Sequence, residues 1–403
     1  MSQLLFSLLP FGLLWAAGHI YVAARFGEPM TPRWRRVCWM LFGGHFVLTP
    51  TAMVVGRLDH MASLHVVAAW VGYLGAGAFV LLFVFTVLKD LGLVGVWAAG
   101  RATSKGKDPG PQNPERRRLM KLGINGGVVA ATAMATRVGV HQARKIPDVK
   151  EVTVPIETLP QGLDGFRIVQ LSDMHVGETI RRPRVEAIAE RVDALDRDMI
   201  AITGDLAEGY VRHVWDDVRP VLELDAPHGT HYVTGNHEYY WNGRDWCEAL
   251  DAAGLEVLVN DHVVLEEGGA RLLVAGCTDY KAGQHIDDHA SDPRKAIEGA
   301  PPHDVSVLLA HRPTSIEDAA GVGYDLQLSG HTHGGQFWPW NYIAGMVHDF
   351  PAGLGRRDDT WIYVSRGAGY WGPPVRLAAP SEITVITLRR GGREEASERW
   401  VDD

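Results

Sequence analysis

Cysteine is scarce: Cys38, Cys247 and Cys277 are the three in 403 residues, and no two form a CxxC pair. That excludes a disulfide framework and a cysteine zinc site, and each reads as a small buried hydrophobe. Charge is missing altogether from three long stretches, residues 4–24, 37–56 and 64–88. Helices of that length with no polar face have no side to turn to water, which excludes one uniform soluble domain. A basic, aromatic stripe is also lacking, which argues against nucleic acid as a ligand.

What is present is unevenly distributed. The formal net charge of −9 and the mean hydropathy of −0.05 are averages over two unlike parts. Residues 1–145 carry net +11 and residues 146–403 carry net −20. The split predicts a basic transmembrane region over 1–145 and an acidic soluble domain over 146–403, which at about 250 residues is long enough to bury its own core.

A fourth apolar stretch, 122–140, is rich in Gly and Ala and carries Arg137. It completes a set of four expected spans, with an interfacial helix as the open alternative. Arg25, Arg33, Arg35 and Arg36 lie between the first and second spans. Lys89, Arg101, Lys105, Lys107, Arg116, Arg117, Arg118 and Lys121 lie between the third and fourth, against Arg57 alone between the second and third. By the positive-inside rule the two basic loops are cytoplasmic, so four spans place the soluble domain outside the cytoplasm and three place it inside. Residues 101–115, with Gly106, Pro109, Gly110, Pro111 and Pro114, read as a flexible loop. The RRRLMK run at 116–121 resembles a twin-arginine export signal, and it reads equally as a basic membrane anchor.

After residue 150 short apolar strands alternate with helical stretches. Strands are predicted at 166–171, 199–203, 231–234, 255–259, 272–275, 305–310, 326–329, 361–365 and 383–388, with a charged helix at 184–195. Polar clusters follow the strand ends, where open α/β sheets build their sites. Asp173 and His175 follow the first strand, Gly204 and Asp205 the second, and Gly235, Asn236, His237 and Glu238 the third. His311 follows the sixth strand, and SGHTHGG then supplies His331 and His333. An aspartate can offer one oxygen to each of two divalent ions about 4 Å apart. Neutral imidazoles suit zinc, iron or manganese, and an Asn carbonyl adds a ligand without charge.

The motifs DMH, GDLAEG, GNHE, LLAH and GHTHGG, in this order at strand ends, resemble those of the calcineurin-like metallophosphoesterase family. The resemblance covers about residues 150–390 and implies an α/β fold, a four-layer αββα sandwich, here preceded by the transmembrane helices. It implies that Asp173, His175, Asp205 and His333 hold one metal ion and that Asp205, Asn236, His311 and His331 hold a second, with Asp205 bridging. It gives His237 a catalytic part near the phosphoryl or leaving-group oxygen. The cofactors so implied are two divalent ions, zinc, manganese or iron, binding a hydroxide that attacks phosphorus in line with the ester oxygen.

Many family members have aspartate where this chain has Glu208 and Glu238, so hydrogen bonding behind the ligands is expected to shift. The tail from Ser365 to Leu388, with Arg376 and Glu382, is similar to the closing segment of a bacterial branch that is membrane-tethered or twin-arginine exported. Arg312 and Arg366 flank the site segments and read either as phosphate contacts or as salt-bridge partners. The aromatic stretch 334–360 is expected to line the rim, packed on the domain or dipping into a bilayer.

The expected partners are a phosphoester substrate, lipid-linked or soluble, and the bilayer of a bacterial cell membrane. Two rival readings stand beside that hydrolase. One is a cytoplasmic-facing enzyme resembling UDP-acylglucosamine pyrophosphatase; the other is a membrane sensor whose phosphoesterase domain only binds its ligand.

Overall fold

The computed structural model describes residues 2–55, 62–103 and 113–401. Arg57 and residues 104–112 of the expected flexible loop lie outside them. Contacts divide the chain into two compact units, one of residues 1–140 with 372–375 and one of residues 141–371 with 376–403.

The first unit is helical, with α1 Ser2–Gly27, α2 Pro32–Val55, α3 Ala62–Thr103 and α4 Pro114–Arg144. Sequence punctuation sets its boundaries. Pro32 opens α2, where a missing N–H costs nothing, and Asn113 caps α4 by accepting from the backbone of Glu115 and Arg116. Among the described residues, all four expected spans are helical. The third continues well beyond residue 88, because no proline or glycine pair stops it at Lys89 and Asp90. Among the described residues, two helices are long and apolar enough to cross a membrane, Pro32–Val55 and the stretch Val66–Ala102 of α3. The unit's centre packs Val22, Phe26, Cys38, Phe79 and Val128 together.

The second unit begins with β1 Asp148–Ile156 and β2 Arg167–Leu171. It continues through α5 Arg182–Asp193, β3 Met199–Ile202, α6 Val211–Leu222, β4 Thr230–Tyr232, α7 Asn236–Tyr240 and α8 Gly243–Ala252. Next come β5 Glu256–Val257, β6 Asp261–Glu267, β7 Ala270–Cys277, α9 Pro293–Ile297, β8 Val305–Ala310, α10 Ile316–Ala320 and β9 Leu326–Ser329. The chain closes with α11 Trp340–Val347, β10 Gly353–Arg357, β11 Thr360–Val364, β12 Glu382–Arg390 and β13 Ser397–Trp400. A seven-stranded sheet has the order β13-β1-β12-β2-β3-β4-β5 and a six-stranded sheet the order β10-β11-β9-β8-β7-β6. Within the first, β2, β3, β4 and β5 run parallel; within the second, β7, β8, β9 and β11 do.

Strand periodicity builds the layers. Ile168, Met199 and Ala201 of the first sheet pack against Leu272, Val274, Val307, Leu309 and Leu328 of the second. Their neighbours point the opposite way. Val169, Leu171, Ile200 and Ile202 pack on α5, α6 and α8, where Trp246 is fully buried. Leu273, Ala275, Leu308 and Ala310 pack on α9 and α10. The result is the four-layer arrangement of mixed sheets with flanking helices. Truncating one of the central leucines to alanine costs about 2–5 kcal/mol.

Four strands escape the sequence pattern. β1 mixes Val149, Val152 and Val154 with Lys150 and Glu151, and it is held by pairing to β12 and β13. The strands β6, β10 and β13 are edge or half-exposed and carry little apolar alternation. The aromatic stretch 334–360 is not one loop, since it folds into α11 and β10. All three cysteines are free and buried.

Candidate metal centre

The side chains named from the motifs sit on turns that leave β2, β3, β4, β8 and β9 at one end of the sandwich. Asp173, His175, Asp205, His331 and His333 all adopt φ between 50° and 70°. Left-handed backbone at a non-glycine residue costs of order 1–3 kcal/mol and persists where the surroundings over-determine it. Two glycines make room. A Cβ on Gly330 would lie 2.1 Å from Asp173 Oδ2, and one on Gly235 would lie 2.1 Å from Asp205 Oδ1.

Three clusters bring ligand atoms within 4.8 Å of one another: Asp173, His175 and His333; Asp205, His311 and His331; and His175, Glu208 and His237. Asp173 is fully buried and accepts the backbone N–H of His331 at 3.0 Å. Asp205 is central. Its Oδ1 accepts the N–H of His237 at 2.8 Å, and its Oδ2 lies 3.1 Å from His311 Nε2 and 3.9 Å from both His175 Nε2 and His237 Nε2. Asn236 stands on the same turn as His237, at the start of α7.

The donor set fits divalent cations. Buried Asn236 Oδ1 has no hydrogen-bond partner, although buried polar atoms are nearly always paired, and buried His311 Nε2 makes no aligned hydrogen bond with Asp205 Oδ2, 3.1 Å away. His311 Nδ1 donates to the carbonyl of Thr203 at 2.8 Å, so Nε2 is the nitrogen that would carry the lone pair for a cation once the ring is neutral. In the same way His175 Nδ1 pairs with Glu208 Oε1 at 2.9 Å. His333 is arranged differently. Arg376, fully buried, donates from Nη2 to His333 Nδ1 at 2.9 Å, so the proton on Nε2 points at His175 Nε2, 3.0 Å away. Ligation through His333 Nε2 requires that proton to leave.

Electrostatics set the protonation of the cluster. Burial disfavours charge on Asp205, yet His311 and His237 beside it hold its carboxyl well below the usual range. Burial opposes the imidazolium of His237, and Asp205 and Glu208 overcome it, raising His237 to about 9. Glu208 is itself lowered to about 2, because His237 and His175 outweigh burial. Burial pushes Asp173 up, and it pushes His331 and His333 well down, with His311 and Arg376 respectively adding to the effect.

Two glutamates have structural work that their sequence positions only hint at. Glu208 Oε1 meets Nδ1 of both His175 and His237. Glu238 accepts the backbone N–H groups of Asp205, Leu206 and Gly235 at 3.1, 2.8 and 2.7 Å, tying two motif turns together. The two flanking arginines are engaged by buried carboxylates, Arg312 by Asp279 at 2.6 Å and Arg366 by Glu382 at 3.0 Å. Reading the sequence by motif missed Arg376 as a contact of His333; its signal was a charged residue inside an apolar tail. Tyr240 and Trp371, both about half exposed, flank His237 with ring centroids 5.0 and 5.8 Å away.

Residues 166–335 match the calcineurin-like phosphoesterase family. A bovine transmembrane protein with metallophosphoesterase domain is 33% identical over 334 residues, 79% of this chain and 73% of that one. The zebrafish protein of the same description is 35% identical over 267 residues, 64% of this chain and 61% of that one. An uncharacterized metallophosphoesterase of Bacillus subtilis is 30% identical over 277 residues, 65% of this chain and 94% of that one. The relatives thus span animals and bacteria, and the stretch that matches the family holds every one of these turns. With the sandwich and the clustered Asp and His side chains in place, the chain belongs to the calcineurin-like phosphoesterase family.

Proposed function

We propose that this protein is a membrane-anchored phosphoester hydrolase that works with two divalent ions, and that its substrate is a lipid-linked phosphoester. The observations that carry the metal reading are the buried, partnerless Asn236 Oδ1 and the buried His311 Nε2, which faces Asp205 Oδ2 at 3.1 Å without an aligned hydrogen bond. Asp173, His175, Asp205 and His333 would hold one ion, and Asp205, Asn236, His311 and His331 the other. Zinc, manganese or iron there would supply the Lewis acidity that polarises a phosphoryl group and activates water.

The chain's own residues do the rest. His237, held protonated by Asp205 and Glu208, is placed to give its Nε2 proton to the leaving oxygen. Glu208 fixes the rings of His175 and His237 through their Nδ1 atoms. Tyr240 and Trp371 offer aromatic faces beside His237 to the group carried by the phosphate.

The lipid class is supported by two features. The chain has helices long and apolar enough to cross a membrane, and relatives are named transmembrane proteins. In addition α11, which follows His333 closely in sequence, leaves Tyr342, Met346 and Val347 largely exposed. The positive-inside pattern supports a catalytic unit outside the cytoplasm of a bacterial cell, in a twin-arginine or simply anchored branch of the family.

The test is metal analysis of the full chain in detergent, with hydrolysis of a chromogenic phosphodiester, beside Asp205→Ala and His237→Ala. Two equivalents of metal and turnover lost in both variants are expected. No bound metal, or full turnover by Asp205→Ala, refutes the enzyme and favours a ligand-binding sensor. A reporter fused after Arg144 that is active only outside the cytoplasm tests the orientation; silence there favours the cytoplasmic pyrophosphatase-like reading. A lipid-extract screen tests the substrate, and hydrolysis of soluble esters alone refutes the lipid class.

A further inference from the structure

The helical unit holds a polar cavity unrelated to the metal-type residues. It has a volume of about 350 Å³ and is lined chiefly by Arg25, Glu28, Lys89, Asp90, Arg117 and Lys121. These side chains come from α1, α3, α4 and the turn after α1. A second cavity of about 370 Å³ shares Glu28, Arg117 and Lys121 with it. Four cations face two carboxylates, so the lining carries net positive charge.

The carboxylates are already taken. Asp90 accepts from Tyr21 at 2.6 Å, pairs with Arg25 and lies 3.3 Å from Lys89, and Glu28 pairs with Lys121. Lys89 also donates to Asn125 Oδ1 at 3.0 Å, and Asn125 donates to the carbonyl of Arg25, which fixes one wall. Arg117 has no ion-pair or hydrogen-bond partner for its guanidinium among the described residues. An entering anion would therefore meet the free guanidinium of Arg117 and share Lys121 with Glu28, without competing for the donors of Asp90. The wall also includes apolar Leu93 and Ile124, and α3 continues past it with Leu91, Val94 and Trp97 well exposed.

We infer that this cavity is a binding site for the phosphate headgroup of an anionic phospholipid. Arg117 and Lys121 contact the phosphate, and the acyl chains lie along the exposed apolar face of α3. Charge complementarity selects the headgroup, since a choline cation would be repelled by the same lining, and basic pockets between membrane helices are suited to anionic headgroups. The adjoining apolar surface is what an inorganic anion would not use. The inference rests on the proposal that these helices lie in a bilayer.

The experiment uses the full chain, delipidated in detergent and exposed to equal amounts of phosphatidylglycerol and phosphatidylcholine of matched chains, with retained lipid read by native mass spectrometry. Wild type is expected to retain phosphatidylglycerol preferentially, by about tenfold or more, the scale of two charged contacts. Arg117→Gln with Lys121→Gln should abolish the preference. Arg33→Gln with Arg36→Gln, an equal loss of charge outside the cavity, should keep it. Hydrolysis of the chromogenic diester and the unfolding temperature should be unchanged in both pairs.

No headgroup preference in wild type, or equal loss in both pairs, overturns the site. So does binding of inorganic phosphate without retention of lipid. Fractionation of the cells separates the two possible failures. A chain washed off the membrane by carbonate refutes the bilayer reading, whereas a retained chain with no preference refutes only the headgroup site.

Discussion

Glu208 Oε1 lies 2.9 Å from His175 Nδ1 and also touches Nδ1 of His237, so one carboxylate orients a proposed metal ligand and the proposed proton donor together. The longer side chain at this position reaches both rings. Its negative charge is one reason His237 is raised to about 9.

Glu208→Gln therefore has a signed consequence. A proton donor works while protonated, so activity falls on the alkaline side as His237 loses its proton. Removing the charge of Glu208 lowers that value, and the alkaline limb of the kcat/KM profile moves to lower pH. The rate at the optimum falls by about 10–100-fold, as for other groups that orient metal-site residues. An unmoved alkaline limb would show that Glu208 does not govern His237.

Glu238→Gln tests the brace between motif turns. Glutamine keeps one oxygen where the carboxylate uses two to accept from Asp205, Leu206 and Gly235, so at least one buried N–H loses its partner. The cost is about 1–3 kcal/mol. Calorimetry should show the lower unfolding temperature, and metal analysis a reduced content, since Asp205 is carried on the loosened turn.

Gly330→Ala separates steric from conformational effects. The new Cβ would fall 2.0 Å from Ser172 Oγ and 2.1 Å from Asp173 Oδ2, which forces Asp173 to move. Metal content and turnover should collapse. Gly254→Ala is the contrast: its φ is +97° but nothing lies within 4 Å of the added atom. It should cost about 1–2 kcal/mol of stability and leave turnover intact.

His231 contributes a pH dependence of stability. Burial lowers its pKa from 6.5, only partly offset by its bond to the carbonyl of His228. The folded state prefers the neutral ring, so this contribution is complete above about pH 6.5 and is lost as pH falls through the lowered value. His231→Gln should reduce the fall in unfolding temperature between pH 8 and pH 5. An identical fall in wild type and variant would assign the acid sensitivity to other groups.

Much of this was legible in the sequence, and for identifiable reasons. β8 and β9 were placed to the residue because Val305–Ala310 and Leu326–Ser329 are short runs in which apolar residues recur at every second position, between polar turns. The motif residues were legible because glycine and ligand-type residues cluster where strands end. β1 was not, since Lys150 and Glu151 interrupt its valines and it owes its place to β12, more than 200 residues away. The length of α3 was not, because Lys89 and Asp90 mark the end of an uncharged run but not of a helix; there Asp90 is paired with Arg25. Arg376 was unreadable as a contact of His333, because 43 residues separate them and only tertiary folding brings them together.

The proposed ligands are shared between the sheets: Asp173, His175, Asp205 and Asn236 leave strands of the seven-stranded one, and His311, His331 and His333 leave strands of the six-stranded one. A pair of ions there would act as a rivet through both plates of the sandwich. Metal occupancy would then report on whether the two halves are closed, and chelation would loosen the catalytic unit as a whole. Ligand-linked stabilisation of about 3–4 kcal/mol at saturating metal is the size of effect to expect.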